Sequence, residues 1–485
     1  MPDNNIIRPG DKIYRPRRIT LYHLRRALGV WAVFSAGYGN VGSSIYYALG
    51  IVALMAAGAT PFALGIAGLL FIFTALTYAE GTSLIPEAGG SASFARHAFG
   101  NTAGFAAGWA LMLSYIVTIA ISAYTIPPYL GYFWEPLKAS PVIGTFTSIG
   151  IVFFLMTINV IGIKETSFLN IGVTMVDILT QISLVVIGFI TLFNPQVVLH
   201  RIFDNWPSPG NLITGIALAT IAYTGIETMS QMAEETKKPE RSVPRALILM
   251  IVAVLVVFAG ISIVSLSAMP ASELASTWAR DPVAGIANYI PIQVIQNILK
   301  PLIAVLAATI LLIATNAGII GLSRLAFSQG THGLVPPAFG RVHPRFKTPY
   351  VSIIVFCLIA IALLVPGFFK MDIFSEMGAL YAIGSLLAFM FAHMSIIALR
   401  VKQPDELRSF KLRPSIDIKG YKIPLTAIIG FLATASIWVF LLFLEPFSRW
   451  IGLSWMVGGL LIYGLSKLYQ YWKKKSGKFD IKSPD

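Results

Sequence analysis

The sequence predicts an all-α integral membrane protein with 12 transmembrane helices, and three observations carry that expectation. Hydrophobic residues make up 56% of the 485 residues and charged ones 12%, against roughly 45–50% and 25% in soluble chains. Apolar runs long enough to cross the roughly 30 Å hydrocarbon layer recur twelve times along the chain. With both termini on the cytoplasmic side, thirty of the 36 Lys and Arg fall there, leaving only Lys138, Arg201, Arg280, Lys300, Lys370 and Arg449 outside. An excess of Lys and Arg in the cytoplasmic connections is what orients such proteins.

Residues 1–27 form a basic tail in which Arg15, Arg17, Arg18, Arg25 and Arg26 precede the first apolar run. Beside a membrane such a cluster reads as a topology signal near anionic lipid, so the net charge of +14 is no argument for nucleic acid. The run behind it is too long for a cleavable signal. Span 1 (28–57) contains Gly37-Tyr38-Gly39-Asn40-Val41-Gly42-Ser43-Ser44. Glycine weakens a helix by roughly 1 kcal/mol per residue, and backbone groups freed in hydrocarbon cost several more unless they line a cavity or meet a ligand. A helix that stops and restarts in mid-membrane is therefore expected here.

Span 2 (60–81) ends at Glu80, expected at the cytoplasmic edge with water or Arg96 as its partner. Span 3 (101–132) and span 4 (141–163) carry no charge in their middle. Span 5 (168–193) does: Asp177 lies near its centre with no Lys or Arg within a turn, and an intramembrane carboxylate of that kind is a cation or proton site by default. Span 6 (211–232) holds a second weak point, Ala222-Tyr223-Thr224-Gly225, just before Glu227. Spans 7 (244–269) and 8 (294–325) follow, the latter with Thr315 and Asn316.

The one cysteine, Cys357, lies inside span 9 (350–369) and speaks for neither a disulfide nor a metal. In span 10 (373–400), Glu376 fits vestibule lining and interfacial solvation equally, and His393 reads as a packed histidine rather than a relay. A cytoplasmic connection (401–422) leads to spans 11 (423–445) and 12 (448–472), where Trp438, Trp450 and Trp455 lie near span ends as interfacial anchors. A cytoplasmic tail (473–485) opens on Lys473-Lys474-Lys475.

The six His residues are dispersed, with no nucleophile–base or metal constellation, so an enzyme is not expected and neither is a cofactor. Repeated filter sequences or rings of charge, the marks of a channel, are not read either. Span 6 falls where a second five-helix repeat would begin, dividing a transport core (28–400) into 28–193 and 211–400. Interrupted helices at matching places in two repeats point to a binding site in secondary transporters.

The connections sharpen this. Ala75-Leu76-Thr77-Tyr78-Ala79-Glu80, Ile85-Pro86-Glu87-Ala88-Gly89-Gly90-Ser91 and Ala98-Phe99-Gly100 resemble the second span and following loop of the amino acid–polyamine–organocation permeases. Asn159 to Glu165 is similar to that family's fourth-to-fifth connection, and Glu234-Glu235-Thr236-Lys237-Lys238-Pro239-Glu240-Arg241-Ser242-Val243-Pro244-Arg245-Ala246 to its sixth-to-seventh loop. Ser323-Arg324, Gly333-Leu334-Val335-Pro336 and His343-Pro344-Arg345-Phe346-Lys347-Thr348-Pro349 resemble the connection after span 8.

The resemblance implies a 5+5 inverted repeat (a LeuT-like fold) with broken helices 1 and 6, two added helices and alternating access. It also implies roles. Gly42-Ser43-Ser44 matches the family's Gly-Ser-Gly turn, which receives a substrate carboxylate, and Gly225-Ile226-Glu227 matches its Gly-aromatic-Glu. Carbonyls near Gly39, Asn40 and Ala222 would take the substrate ammonium, Tyr223 would close over the ligand, and Thr224 lies in the same segment. Glu227 would gate between spans 1 and 6.

Two departures stand out. Asp177 occupies the place of a Lys found in many proton-coupled members, and with Thr315 and Asn316 opposite, it would hold a cation or cycle the coupling proton. Ser44 replaces a glycine where the carboxylate approaches. A pocket for a small side chain points to Ser114 on span 3 and Ser385 on span 10.

The segment Tyr38 to Ser44 also resembles the first span of Kup-type potassium permeases, which carry Asp where this chain has Asn40; Tyr46 then joins the cation-site candidates. The expected function is therefore proton- or cation-coupled symport of an amino acid across the cell membrane, by a monomer or dimer in contact with membrane lipids. Potassium or amine carriage is the alternative.

Overall fold

Apolar runs in hydrocarbon must satisfy their backbone groups internally, and these runs do so as helices. The computed structural model describes residues 26, 28–162, 167–369 and 373–475, with the backbone alone for 167–169 and 473–474. The basic cluster up to Arg25, the Lys164 and Glu165 of the fourth-to-fifth connection, Lys370, the Lys473 and Lys474 side chains, and the tail beyond Lys475 lie outside the described residues.

In order the helices are α1 (Val30–Val41), α2 (Ile45–Ala56), α3 (Thr60–Leu84), α4 (Ser91–Phe99), α5 (Asn101–Leu130), α6 (Pro136–Ala139), α7 (Pro141–Ile161), α8 (Ser167–Thr191), α9 (Pro195–Asp204) and α10 (Pro209–Ala219). They continue with α11 (Glu227–Gln231), α12 (Pro239–Ala268), α13 (Ala271–Ser276), α14 (Pro282–Asn288), α15 (Gln293–Thr331), α16 (Tyr350–Leu364), α17 (Ile373–Lys402), α18 (Leu425–Leu444) and α19 (Pro446–Lys475). One antiparallel hairpin, β1 (Ser415–Ile418) and β2 (Tyr421–Pro424), stands between α17 and α18.

Among the described residues, 11 helical runs are long and apolar enough to cross a membrane. The first, Val30–Leu84, has 55 residues, about 80 Å of helix at about 1.5 Å per residue, and it contains both of the spans that the sequence separates as 1 and 2. Its dividing point is Ala57, with φ 45° and ψ −124°, a conformation L-residues rarely adopt. Thr60 then opens α3, with Pro61 in the first turn.

Burial ranks the helices. In α5 94% of the apolar window is buried, against 22% in α18 and 17% in α19, so α5 is the central post and the last two helices are peripheral. α5 packs along α15, α17, α7 and α16. One close approach is at Gly384 of α17, where a Cβ would come within 2.9 Å of the Ala110 carbonyl and the Ser114 hydroxyl of α5. α19 reaches α5 through paired indoles, Trp109 Nε1 donating to the Trp455 carbonyl (2.8 Å) and Trp455 Nε1 to the Trp109 carbonyl (2.9 Å). These two tryptophans are a helix–helix clasp; Trp455 is not the free interfacial anchor that its place near a span end implies.

Candidate substrate and coupling site

Helix 1 does not stop and restart. Gly42–Ser44 form a single 3₁₀ turn between α1 and α2, and the backbone stays right-handed through it, with φ −65° and ψ −32° at Gly42 and φ −61° and ψ −29° at Ile45. A 3₁₀ turn tightens the hydrogen-bond ladder without emptying it, so the expected break is a constriction. Within it the Ser43 and Ser44 hydroxyls donate back to the Asn40 carbonyl at 3.1 and 3.3 Å, and the Ser44 hydroxyl also meets that of Tyr47 at 3.0 Å. Gly42 is small because the Tyr38 ring lies across it, where any Cβ would strike the ring.

Helix 6 is broken outright. α10 tightens into a 3₁₀ turn at Thr220–Tyr223, Thr224 is extended (φ −80°, ψ 158°), and Gly225 has φ 106° before α11 begins. Only glycine takes such a φ without strain. A Cβ there would also lie 2.8 Å from Cγ of Asn40. The freed Gly225 N–H donates to the Glu227 carboxylate (3.1 Å). Glu227 therefore caps its own segment, and the link between the two interrupted helices is instead Asn40 Nδ2 donating to Thr228 Oγ1 (3.0 Å). Asn40 Oδ1 is buried beside this contact without a partner among the described residues, which leaves an acceptor open at the junction.

Tyr223 does not lean over this junction. Its hydroxyl donates to the Leu64 carbonyl of α3 (2.8 Å) and its ring packs between Phe71 and Phe258, because a buried phenol needs a partner for its hydroxyl and α3 supplies one. Gly39 marks the close approach of α1 to α15, a Cβ there lying 2.9 Å from Cγ2 of Ile313, and Ala222 is buried in the 3₁₀ turn of helix 6.

Asp177 on α8 is completely buried. It accepts three hydrogen bonds, from Tyr46 Oη (2.6 Å), Tyr38 Oη (3.2 Å) and Gln181 Nε2 (2.6 Å). Tyr38 belongs to α1 and Tyr46 to α2, so one carboxylate grips helix 1 on both sides of its 3₁₀ turn. One turn earlier on α8, Thr174 receives the Ser35 hydroxyl at 2.8 Å. Thr315 and Asn316 do not join this grip. The Thr315 hydroxyl donates to the Leu311 carbonyl (2.8 Å), and Asn316 Oδ1 accepts from Asn159 (2.6 Å).

Glu80 makes the contrast. It is buried rather than hydrated, and its partner is not Arg96 but Arg400 at the end of α17, through two bonds of 2.5 and 2.7 Å. Arg408 approaches at 3.3 Å and the Leu412 N–H adds a bond of 2.8 Å. Arg96 is engaged with Glu87 (2.5 Å), whose carboxyl is held below the usual range by the His97 hydrogen bond and the nearby guanidinium. Glu80 is thus a structural ion pair, whereas among the described residues Asp177 is held by neutral donors alone.

The ends of the bundle are closed by the connections. Leu28 N–H donates to the Glu235 carbonyl (3.0 Å) and Lys237 N–H to the Leu28 carbonyl (2.8 Å), while Glu235 pairs with Arg324 at 2.7 Å. At the other end α13 and α14 lie on α2, where a Cβ on Gly50 would collide with the Ala279 carbonyl. Lys138 bonds Asp281 at 2.6 Å. Burial pushes the Asp281 carboxyl up against the pull of that lysine.

Of the remaining candidates, Ser114 faces Gly384 inside the α5–α17 contact, and the Ser385 hydroxyl turns to the Ala382 carbonyl (3.3 Å). His393 sits between Thr74 (3.3 Å) and Thr77 (2.9 Å) of α3, with Gly430 of α18 against its ring, which is a packing role. Glu376 accepts from Ser448 (2.9 Å) and ties α17 to α19. Cys357 is buried in α16.

Sequence reasoning did not find Tyr38, Gln181, Thr228 or Arg400, and it considered Tyr46 only for potassium. Gln181 was legible as the residue four after Asp177, on the same helix face. The others act across spans.

The comparisons with known proteins agree with one another. The amino acid permease family profile matches residues 28–464. The chain is similar to a branched-chain amino acid permease of Bacillus subtilis, 29% identical over 91% of this chain and 93% of that protein. It is also similar to a methylthioribose transporter of the same organism, at 26% over 91% and 93%. A low-affinity putrescine importer of Escherichia coli is 26% identical over 86% of this chain and 88% of its own length.

Proposed function

This chain belongs to the amino acid permease family, and we propose that it is a secondary active carrier that moves an amino acid with an apolar side chain by alternating access, driven by a proton or a monovalent cation. In this reading the 11 helical runs make twelve crossings, because Val30–Leu84 turns back at Ala57, and the core is the 5+5 inverted repeat. Both termini are cytoplasmic and the membrane is the cell membrane. The preference for an apolar side chain rests on the likeness to the branched-chain permease.

The observation that carries the proposal is the junction where Asn40 of α1 meets Gly225 and Thr228 of helix 6. A substrate carboxylate arriving at Gly42-Ser43-Ser44 draws the two serine hydroxyls away from the Asn40 carbonyl. That same carbonyl is then free to accept from the substrate ammonium, so one rearrangement prepares both ends of a zwitterion's site. Charge-assisted hydrogen bonds of this kind are about twice as strong as the neutral ones they replace. Asp177 is the coupling site, because its grip on Tyr38 and Tyr46 reports on both halves of helix 1.

Thermal unfolding of the purified protein with branched-chain amino acids, basic amino acids, their decarboxylated amines, putrescine and potassium tests this. A ligand at a hundred times its Kd stabilises the folded state by about 2.7 kcal/mol. Branched-chain amino acids are expected to raise the melting temperature and their amines to do little. Stabilisation by putrescine with no response to any amino acid assigns the chain to amine carriage, and a response to potassium alone removes the zwitterion site.

A further inference from the structure

The hairpin between α17 and α18 is the one strand pair among the described residues, and the proposed transport cycle does not use it. Its two-residue turn, Lys419-Gly420, has positive φ at both positions (54° and 84°), the type I′ geometry that matches strand twist. The register pairs Ile416 with Ile423 and Ile418 with Tyr421, so the period of two puts these four side chains on one face and Ser415, Asp417 and Lys422 on the other. Ile423 is buried against the bundle, but Ile416, Ile418 and Tyr421 are 42%, 43% and 38% exposed. Lys411, Arg413 and Lys419 are exposed close to this strip along the chain, Lys422 is exposed on the opposite face, and Asp417 is the one acidic residue between positions 411 and 424.

The root of the hairpin is fixed. Glu80 holds Arg400 and the Leu412 N–H, Ser83 Oγ donates to the Phe410 carbonyl (3.1 Å), and the Leu425 N–H closes onto the Pro414 carbonyl (3.0 Å). α17 and α18, which flank the hairpin, are both long and apolar enough to cross a membrane. In the membrane topology of the proposed function, on which this inference rests, the strip lies close to where those helices leave the hydrocarbon. A protein partner needs about 800 Å² on each side for a stable interface, and three half-exposed side chains fall far short of that. A lipid surface needs only shallow apolar insertion and nearby positive charge.

We propose that the 415–424 hairpin is a membrane-surface anchor, seating Ile416, Ile418 and Tyr421 in the headgroup boundary of an anionic leaflet with Lys411, Arg413 and Lys419 on its phosphates. Cys357 is the chain's one cysteine and is buried, so a cysteine introduced on the hairpin takes a label selectively. Nitroxides on Ile418→Cys and Asp417→Cys, in the full chain in nanodiscs of phosphatidylglycerol or of phosphatidylcholine, are read for accessibility to oxygen and to a polar nickel reagent.

The expected result is a several-fold higher oxygen-to-nickel ratio at 418 than at 417 in phosphatidylglycerol. That difference shrinks in phosphatidylcholine or when Lys411 and Lys419 are changed to Gln. Equal ratios at the two positions in phosphatidylglycerol overturn the anchor, as does shielding of position 418 from both reagents, which means cover by protein. A ratio unaffected by lipid charge and by the lysine changes overturns the anionic leaflet.

Discussion

In helix 1 the backbone stays right-handed through Gly42–Ser44, whereas in helix 6 it becomes extended at Thr224 and takes φ 106° at Gly225. The first interruption keeps the Asn40 carbonyl occupied by two local serine hydroxyls and is gripped from outside by Asp177. The second is a committed departure from the helix, with Glu227 satisfying the N–H set free. A 3₁₀ turn relaxes to α or opens at little cost; a left-handed glycine between two helical segments has no such neighbouring state. In the proposed cycle helix 1 is accordingly the part that would adapt when substrate and coupling ion arrive, and helix 6 the fixed edge against which it would move.

The largest effect that tests this contrast comes from paired glycine substitutions. Gly225→Ala adds strain of about 1–3 kcal/mol for its backbone conformation, and its Cβ meets Asn40 at 2.8 Å. Uptake should be lost and the melting temperature lowered. Gly42→Ala also clashes, its Cβ striking the buried Tyr38 ring, but on a backbone that any residue accepts, so its loss of stability should be the smaller of the two, with uptake reduced. Equal loss of stability in the two variants would erase the distinction between an adaptable and a fixed interruption.

Asp177→Asn comes next. The asparagine retains one acceptor oxygen and presents an N–H₂ that a tyrosine hydroxyl can accept, so bonds to helix 1 can re-form while the ability to change charge is lost. Concentrative uptake into liposomes should disappear while counterflow exchange persists. Undiminished gradient-driven accumulation takes Asp177 out of coupling. A smaller change is expected from Thr228→Val, which leaves the buried Asn40 amide unpaired at a cost of about 1–3 kcal/mol. It should raise KM more than it lowers the maximal rate, and a KM equal to that of the unaltered protein would show that the helix 1–helix 6 contact does not touch the binding step.

The contrast between the two interruptions was only half legible in the sequence, and it was read with the wrong weighting. Gly37, Gly39 and Gly42 made helix 1 look like the stronger break, yet each is used for close packing, against Met229, Ile313 and Tyr38 respectively. Helix 6 has the outright break on Gly225 alone. A glycine required by a neighbour's bulk and one required by its own φ look identical in a sequence.

Asp177 and Glu80 divide in the same way. Charge inside an apolar run was enough to single out both, but their partners come from elsewhere in the chain: Tyr38 lies 139 residues from Asp177, and Arg400 lies 320 from Glu80. Local spacing reached Gln181 and no further. The membrane-spanning runs themselves were readable because hydrocarbon leaves a chain so few ways to satisfy its backbone. The short helices α4, α9, α13 and α14 of the connections, free of that constraint, were not.

The finest test concerns which half of helix 1 Asp177 holds more firmly. Tyr46 of α2 approaches it at 2.6 Å and Tyr38 of α1 at 3.2 Å, and the Tyr46 carbonyl is itself bonded by Tyr129 (2.8 Å), so α2 is the better anchored side. Tyr38→Phe removes only the longer bond and leaves its ring lying across Gly42. The expected loss of stability is about 0.5–1.5 kcal/mol, with accumulation lowered but not abolished, and Tyr46→Phe should cost more on both measures. If Tyr38→Phe instead uncouples transport while Tyr46→Phe is silent, then α2 is the half that swings and α1 the half that stays, and the hinge at Gly42–Ser44 works in the opposite sense.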